Sequence, residues 1–222
     1  MTKYTRQDPE ISRRKFINVA MGTTAGVGTL SLLSIVGGVK PANVLTPEKE
    51  LPRKGDVLVY ADPAKNGAPV ALADIQVGQV VYAFPKGRSL NGSDVVKNGV
   101  PRNQLIVAKF PADQLKAPTD VKATDQGIVV YSRQCMHLGC AVEIKPYPSK
   151  NLQEAAVCPC HGGVYDLAEG AKVVDGPPPA PLPQLPIKVQ GSQVVVDGFF
   201  LSLPKDLTES EFEAQKKELE KA

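Results

Sequence analysis

The sequence predicts an all-β fold of antiparallel sheets, arranged as a sandwich or barrel, and two observations predict it. Glycine and proline are abundant, at 19 and 20 of 222 residues, with aromatic residues at 5% and no Trp. Turns are therefore frequent, which favours β-rich architecture over a helical bundle. Short runs rich in Val and Ile also recur between Gly, Pro, Asn and Asp, the pattern of strands joined by turns. The length fits one folded domain with appendages.

The elements follow in order. Residues 19–39 run for 21 positions without a charge, enough to cross a hydrocarbon core of about 30 Å as a helix rising 1.5 Å per residue. Ser12-Arg13-Arg14-Lys15-Phe16-Ile17 stands just before it and looks like a twin-arginine export signal; a plain signal-anchor obeying the positive-inside rule is the alternative. Lys40-Pro41 follows the apolar run where an A-x-A cleavage site would stand, so retention as an anchor is expected. Residues 1–40 thus read as a cytoplasmic N-terminus with a transmembrane anchor, and 41–56, polar and with three prolines, as an extended flexible linker.

Strand-like runs follow at Val57–Tyr60, Val70–Ile75, Gln79–Phe84, Gln104–Phe110, Gly127–Ser132, Leu185–Gln190, Gln193–Asp197 and Phe199–Leu203. The Gly/Asn-rich stretch 86–103 reads as a surface loop. At the end, Thr208 and Glu211 form a capping box, Leu207 and Phe212 can staple across it, and acidic residues precede lysines. A short, mostly solvated C-terminal helix is expected within 205–222.

Charge excludes one class of function. The net charge is +3, and residues 1–15 alone supply it; the remainder carries 21 basic and 21 acidic side chains. No basic field is left for nucleic acid on the folded part.

All four cysteines and both histidines fall between residues 135 and 161. Cys135-Met136-His137-Leu138-Gly139-Cys140 and Cys158-Pro159-Cys160-His161-Gly162-Gly163 each offer a thiolate and an imidazole at close spacing, and each has a second cysteine. Two such loops can grip a two-iron cluster from both sides. Neutral imidazoles in place of thiolates would then lift the potential well above that of all-cysteine ferredoxins. Zinc competes, although structural zinc sites usually pair like ligands; a disulfide-stapled loop pair is the blander alternative. Haem attachment needs C-x-x-C-H, and one residue too few separates Cys158 from Cys160.

These two motifs resemble the cluster-binding loops of Rieske iron–sulfur proteins of the kind found in cytochrome bc complexes. The resemblance implies one 2Fe–2S cluster per chain, with Cys135, His137, Cys158 and His161 as ligands and Cys140 and Cys160 joined in a disulfide, which suits an oxidising compartment. Gly176-Pro177-Pro178-Pro179 is similar to the family's proline loop, a stiff lid over the cluster. Tyr165 stands where the family commonly has a tyrosine hydrogen-bonded to a ligating sulfur. Leu138, Gly139, Gly162, Gly163, Tyr165, Gly176, Pro177 and Pro178 are then the residues around the cluster. Many relatives of high potential have Ser where this chain has Gly163. Loss of that donor should lower the potential, as suits a menaquinol donor, and Gly163→Ser should raise it.

The fold so implied is a Rieske-type β-sandwich over 57–204 with an inserted cluster-binding subdomain at about 132–182, preceded by one transmembrane helix. The function implied is quinol oxidation with a cytochrome b subunit and electron delivery to a c-type cytochrome, with His137 and His161 as the residues able to take the quinol's proton. The domain would face the periplasmic side of the cell membrane. A Rieske small subunit of a twin-arginine-exported molybdenum oxidoreductase, similar to arsenite oxidase, is the second expectation. A soluble Rieske ferredoxin is the third, which an anchor argues against.

Overall fold

The computed structural model describes residues 45–65 and 67–221. The twin-arginine motif, the apolar run and residues 41–44 of the expected linker lie outside them. Among the described residues no helix is long and apolar enough to cross a membrane.

Among the described residues, eleven strands form two wholly antiparallel sheets. The larger holds β1 (Val57–Tyr60), β2 (Val80–Arg88), β3 (Asp94–Val96), β4 (Leu105–Lys109), β5 (Ile128–Ser132), β10 (Ile187–Gln190) and β11 (Gln193–Val196). Its order is β10-β11-β1-β2-β4-β5, with β3 beside β2. The smaller holds β6 (Glu143–Tyr147), β7 (Leu152–Val157), β8 (Val164–Asp166) and β9 (Lys172–Asp175), in chain order. The whole second sheet is therefore an insertion between β5 and β10 of the first.

β4 and β5 form the wall between two cores. Leu105, Val107, Ile128 and Val130 face one apolar cluster, shared with Leu58, Ile187 and Val194. Ile106, Ala108, Val129 and Tyr131 face the other, shared with Cys135, Cys158 and Tyr165. A strand alternates sides at every residue, so burial on both faces is why these segments read as unbroken apolar runs.

Several expectations are corrected. Val70–Ile75 is not a strand: a 3-10 turn occupies Leu72–Asp74, where Asp74 accepts hydrogen bonds from Tyr60 Oη at 2.5 Å and Lys65 Nζ at 2.7 Å. Phe199–Leu203 pairs with no strand; Phe200 plugs the core while Leu201 and Leu203 are exposed. The supposed surface loop 86–103 carries the end of β2, all of β3 and four buried polar residues, Ser89, Lys97, Arg102 and Asn103.

Residues 45–56, expected as the second half of a flexible linker, are folded into the domain. Glu50, Leu51 and Asp56 are buried. The Lys97 ammonium meets the Asp56 carboxylate at 2.7 Å with both side chains almost wholly enclosed, and also donates to Leu51 O at 3.2 Å. Arg102 donates to Lys49 O at 2.5 Å and Asn103 to Glu50 O at 2.7 Å. A polar segment can be buried because partners on the 97–103 stretch satisfy it.

The C-terminal helix α1 (Glu209–Leu219) begins with the capping box of Thr208 and Glu211. Most of it is exposed, as expected, while Phe212 and Leu219 are buried in the first core, with Leu207 packed against it.

Candidate metal centre

The first Cys/His loop runs from β5 of the larger sheet to β6 of the smaller, the second from β7 to β8, and both close on themselves in the same way. In the first, Cys135 N–H donates to Cys140 O at 2.8 Å and Gly139 N–H to Cys135 O at 2.9 Å. In the second, Cys158 N–H donates to Gly163 O at 2.7 Å and Gly162 N–H to Cys158 O at 3.1 Å. Four residues after each opening cysteine, the chain turns through a glycine with φ +84° at Gly139 and +71° at Gly162, a region closed to most side chains. The doubled Cys-x-x-x-Gly spacing is the sequence signal for this shared closure; a reading centred on Cys and His passes over it.

A disulfide joins Cys140 to Cys160, with Cα atoms 6.7 Å apart. It consumes two of the four thiols. Sγ of Cys158 lies within 4.8 Å of both disulfide sulfurs, but those sulfurs are no longer thiolates and cannot serve as anionic ligands. Cys135 and Cys158 remain as free, buried thiols. Burial pushes the Cys158 thiol above its ordinary value, and the adjacent Cys135 adds to the rise. Two thiolates side by side in a buried site call for a cation between them.

The two imidazoles meet edge to face, their centroids 4.7 Å apart at 90°. His137 is half-buried and His161 exposed. Nδ1 of His137 is buried and has no hydrogen-bond partner among the described residues, which is costly for a ring nitrogen unless something binds it. Two free thiols, two touching imidazoles and an unpartnered buried nitrogen fit a mixed sulfur–nitrogen metal centre. Cys135, His137, Cys158 and His161 are the residues that could hold it.

Tyr165, on β8, is fully buried. Its hydroxyl accepts from Met136 N–H at 3.0 Å, which leaves its own proton for Cys135 Sγ at 3.3 Å. Burial, reinforced by the Cys135 contact, raises the phenol's pKa, so it stays a donor.

The proline stretch lies directly on the second loop. A β-carbon at Gly176 would come within 2.6 Å of Gly162 O and 2.8 Å of Gly163 Cα. One at Gly163 would lie 2.9 Å from Pro178 Cδ and closer still to Cγ. Pro178 is buried while Pro177 is exposed. Gly163→Ser is therefore not the simple insertion of a donor that the sequence implied, because a rigid proline ring must move to admit the side chain. Leu138, 65% exposed, projects from the first loop into solvent.

The family described as Rieske [2Fe-2S] domain matches residues 93–186. A cytochrome bc1 complex Rieske iron-sulfur subunit of Streptomyces coelicolor is 30% identical over 84% of this chain and 51% of its own length. One of Streptomyces lividans is 32% identical over 61% of this chain and 75% of its own. A putative respiratory nitrate reductase subunit Rieske of Haloferax mediterranei is 25% identical over 88% of this chain and 80% of its own. The chain spans about half the length of the S. coelicolor relative.

Proposed function

Because the chain belongs to the Rieske iron–sulfur protein family, with a 2Fe–2S cluster as its cofactor, we propose that it is the redox subunit of a cytochrome bc-type complex. In this reading it oxidises a membrane quinol, menaquinol by preference, on a cytochrome b partner and passes the electron to a c-type cytochrome. The observation that carries the reading is the pair of touching imidazoles, one exposed, on the same two loops as two free, buried thiols. Residues 1–40 would anchor the chain in the cell membrane with the folded domain on the periplasmic side.

Cys135 and Cys158 would hold one iron and His137 and His161 the other. When bound, the cluster supplies a one-electron couple, commonly between about −150 and +300 mV for such centres. The chain's residues do the rest. His161, the more exposed imidazole, accepts the quinol hydroxyl's hydrogen bond and takes its proton at the ring nitrogen left free by ligation. His137, held deeper, shares the site. Tyr165 steadies the Cys135 sulfur, and the Cys140–Cys160 disulfide ties the two loops together where solvent reaches them. Pro178 and Gly163 close one side against water.

A redox titration of the full chain across pH tests this. Metal coordination lowers an imidazole's pKa in the oxidised form, and reduction raises it again. The midpoint should therefore be level at low pH and fall as pH rises past the oxidised-form value. A midpoint that stays constant from neutral to strongly alkaline pH would contradict the proton-coupled role.

A second reading has support in the H. mediterranei relative: a Rieske small subunit of a molybdenum oxidoreductase. Purification with bound partners separates the two, by cytochrome b haem in one case and molybdenum in the other.

A further inference from the structure

The second sheet makes one contact that its strand order does not lead one to expect. β6 and β9 are its opposite edges. Four strands spaced about 4.8 Å apart would put those edges roughly 14 Å from each other in a flat sheet. Yet Tyr147, the last residue of β6, donates its hydroxyl to Asp175 Oδ2, at the end of β9, at 2.5 Å. The sheet must curl to allow it. Register shifts at Lys145/Tyr147 and at Val164/Tyr165 provide the bends, as bulges do. The Tyr147 ring packs with Leu152 and Val174 on a small apolar cluster of Ala155, Val157 and Val164, which fixes where its hydroxyl can reach.

The other oxygen of the same carboxylate is also used. Asp175 Oδ1 accepts from Gly176 N–H at 2.7 Å, the first amide of the proline stretch. Gly176 is the residue with no room for a β-carbon against Gly162 and Gly163, and Asp175 itself pairs with Val164, next after Gly163. One carboxylate thus ties the far edge of the sheet to the start of the loop that lies on the second Cys/His loop.

We propose that Tyr147 and Asp175 form a brace that positions the Gly176–Pro179 loop against Gly162 and Gly163, and so sets how much water reaches the cluster and where its potential lies. They are positioning residues that act through the loop. The proposal rests on the reading of Cys135, His137, Cys158 and His161 as cluster ligands. The Tyr147 hydroxyl, followed by the Gly176 amide, holds the Asp175 carboxyl below its usual range, so the brace is intact at neutral pH.

Reduction adds one negative charge to the cluster, and admitted water stabilises that charge. A loosened loop should therefore raise the midpoint. Tyr147→Phe breaks the brace without altering any charge. Asp175→Asn weakens it and removes a negative charge, so it should raise the midpoint further. The experiment is a redox titration of the full chain with its cluster, as wild type, both single variants and the double variant. Absence of a Rieske spectroscopic signature in the wild type would remove the ligand reading itself. With that signature present, Tyr147→Phe should shift the midpoint upward, and the double variant should shift it by less than the two single shifts together. An unmoved or lowered midpoint in Tyr147→Phe, or fully additive shifts, overturns the brace.

Discussion

The two sheets are held together by different means. The larger one encloses an apolar core of side chains from six of its strands, the C-terminal helix and the 45–56 segment, and beside that segment buried Lys97 pairs with Asp56 and buried Arg102 with Asp206. The smaller buries Ala155, Val157 and Val164 on one face, while Ala156 and Tyr165 join the second core, which β4 and β5 of the larger sheet also line. Its remaining ties are a disulfide, two self-closed loops, a tyrosine hydroxyl on a sulfur and a carboxylate on a loop amide. Apolar burial is indifferent to redox state, whereas sulfur–sulfur bonds and hydrogen bonds to ligand sulfurs are not. The larger sheet rests mainly on apolar burial, whereas the redox-sensitive ties gather in the loops around the smaller one.

The sharpest way to break that comparison is to remove a ligand thiol. Cys158→Ser should abolish the visible and paramagnetic signals of the cluster entirely, while far-ultraviolet circular dichroism keeps the β signature of the larger sheet. Loss of the whole fold would show that the larger sheet depends on the metal centre.

The converse change is Lys97→Met. Leaving the buried Asp56 carboxylate unpaired should cost about 3–5 kcal/mol of stability, read by denaturant unfolding, with the cluster's midpoint unmoved. A shifted midpoint would show that the 45–56 segment and the metal centre are coupled.

Next in size is the double change Cys140→Ser with Cys160→Ser. Freeing a loop pair 20 residues apart should cost about 3 kcal/mol, and chelators should then strip the cluster faster. Tyr165→Phe is smaller. It deletes a hydrogen bond to the Cys135 sulfur, worth about 1 kcal/mol, and should lower the midpoint, because a sulfur that gains charge on reduction loses its donor. The smallest effect is Thr208→Ala. Loss of the helix cap should cost about 1 kcal/mol or less, with no change at the metal centre.

The strands of the larger sheet, β3 excepted, were legible because their residues carry the signal themselves. Val57–Tyr60, Leu105–Lys109 and Ile128–Ser132 are apolar runs between turn residues. β6 to β9 were not, because β6 is broken by Pro146 at a sheet edge, where proline is tolerated, and β8 has three residues. Their strand character comes from pairing with each other around the loops. The 45–56 segment misled for a related reason: its prolines and charges look like linker until Lys97, Arg102 and Asn103 supply partners from fifty residues away.

The sequence by itself determined where the candidate metal centre lies. Cys and His have few other reasons to crowd into 27 positions, and the two loops spell a mixed donor set locally. Tertiary structure alone decided the rest. It united the thiol of Cys135 with the hydroxyl of Tyr165, set Pro178 against Gly163, and brought Tyr147 on one sheet edge to Asp175 on the other. Those contacts depend on how a sheet curls, which many distant residues fix together and no short stretch of chain records.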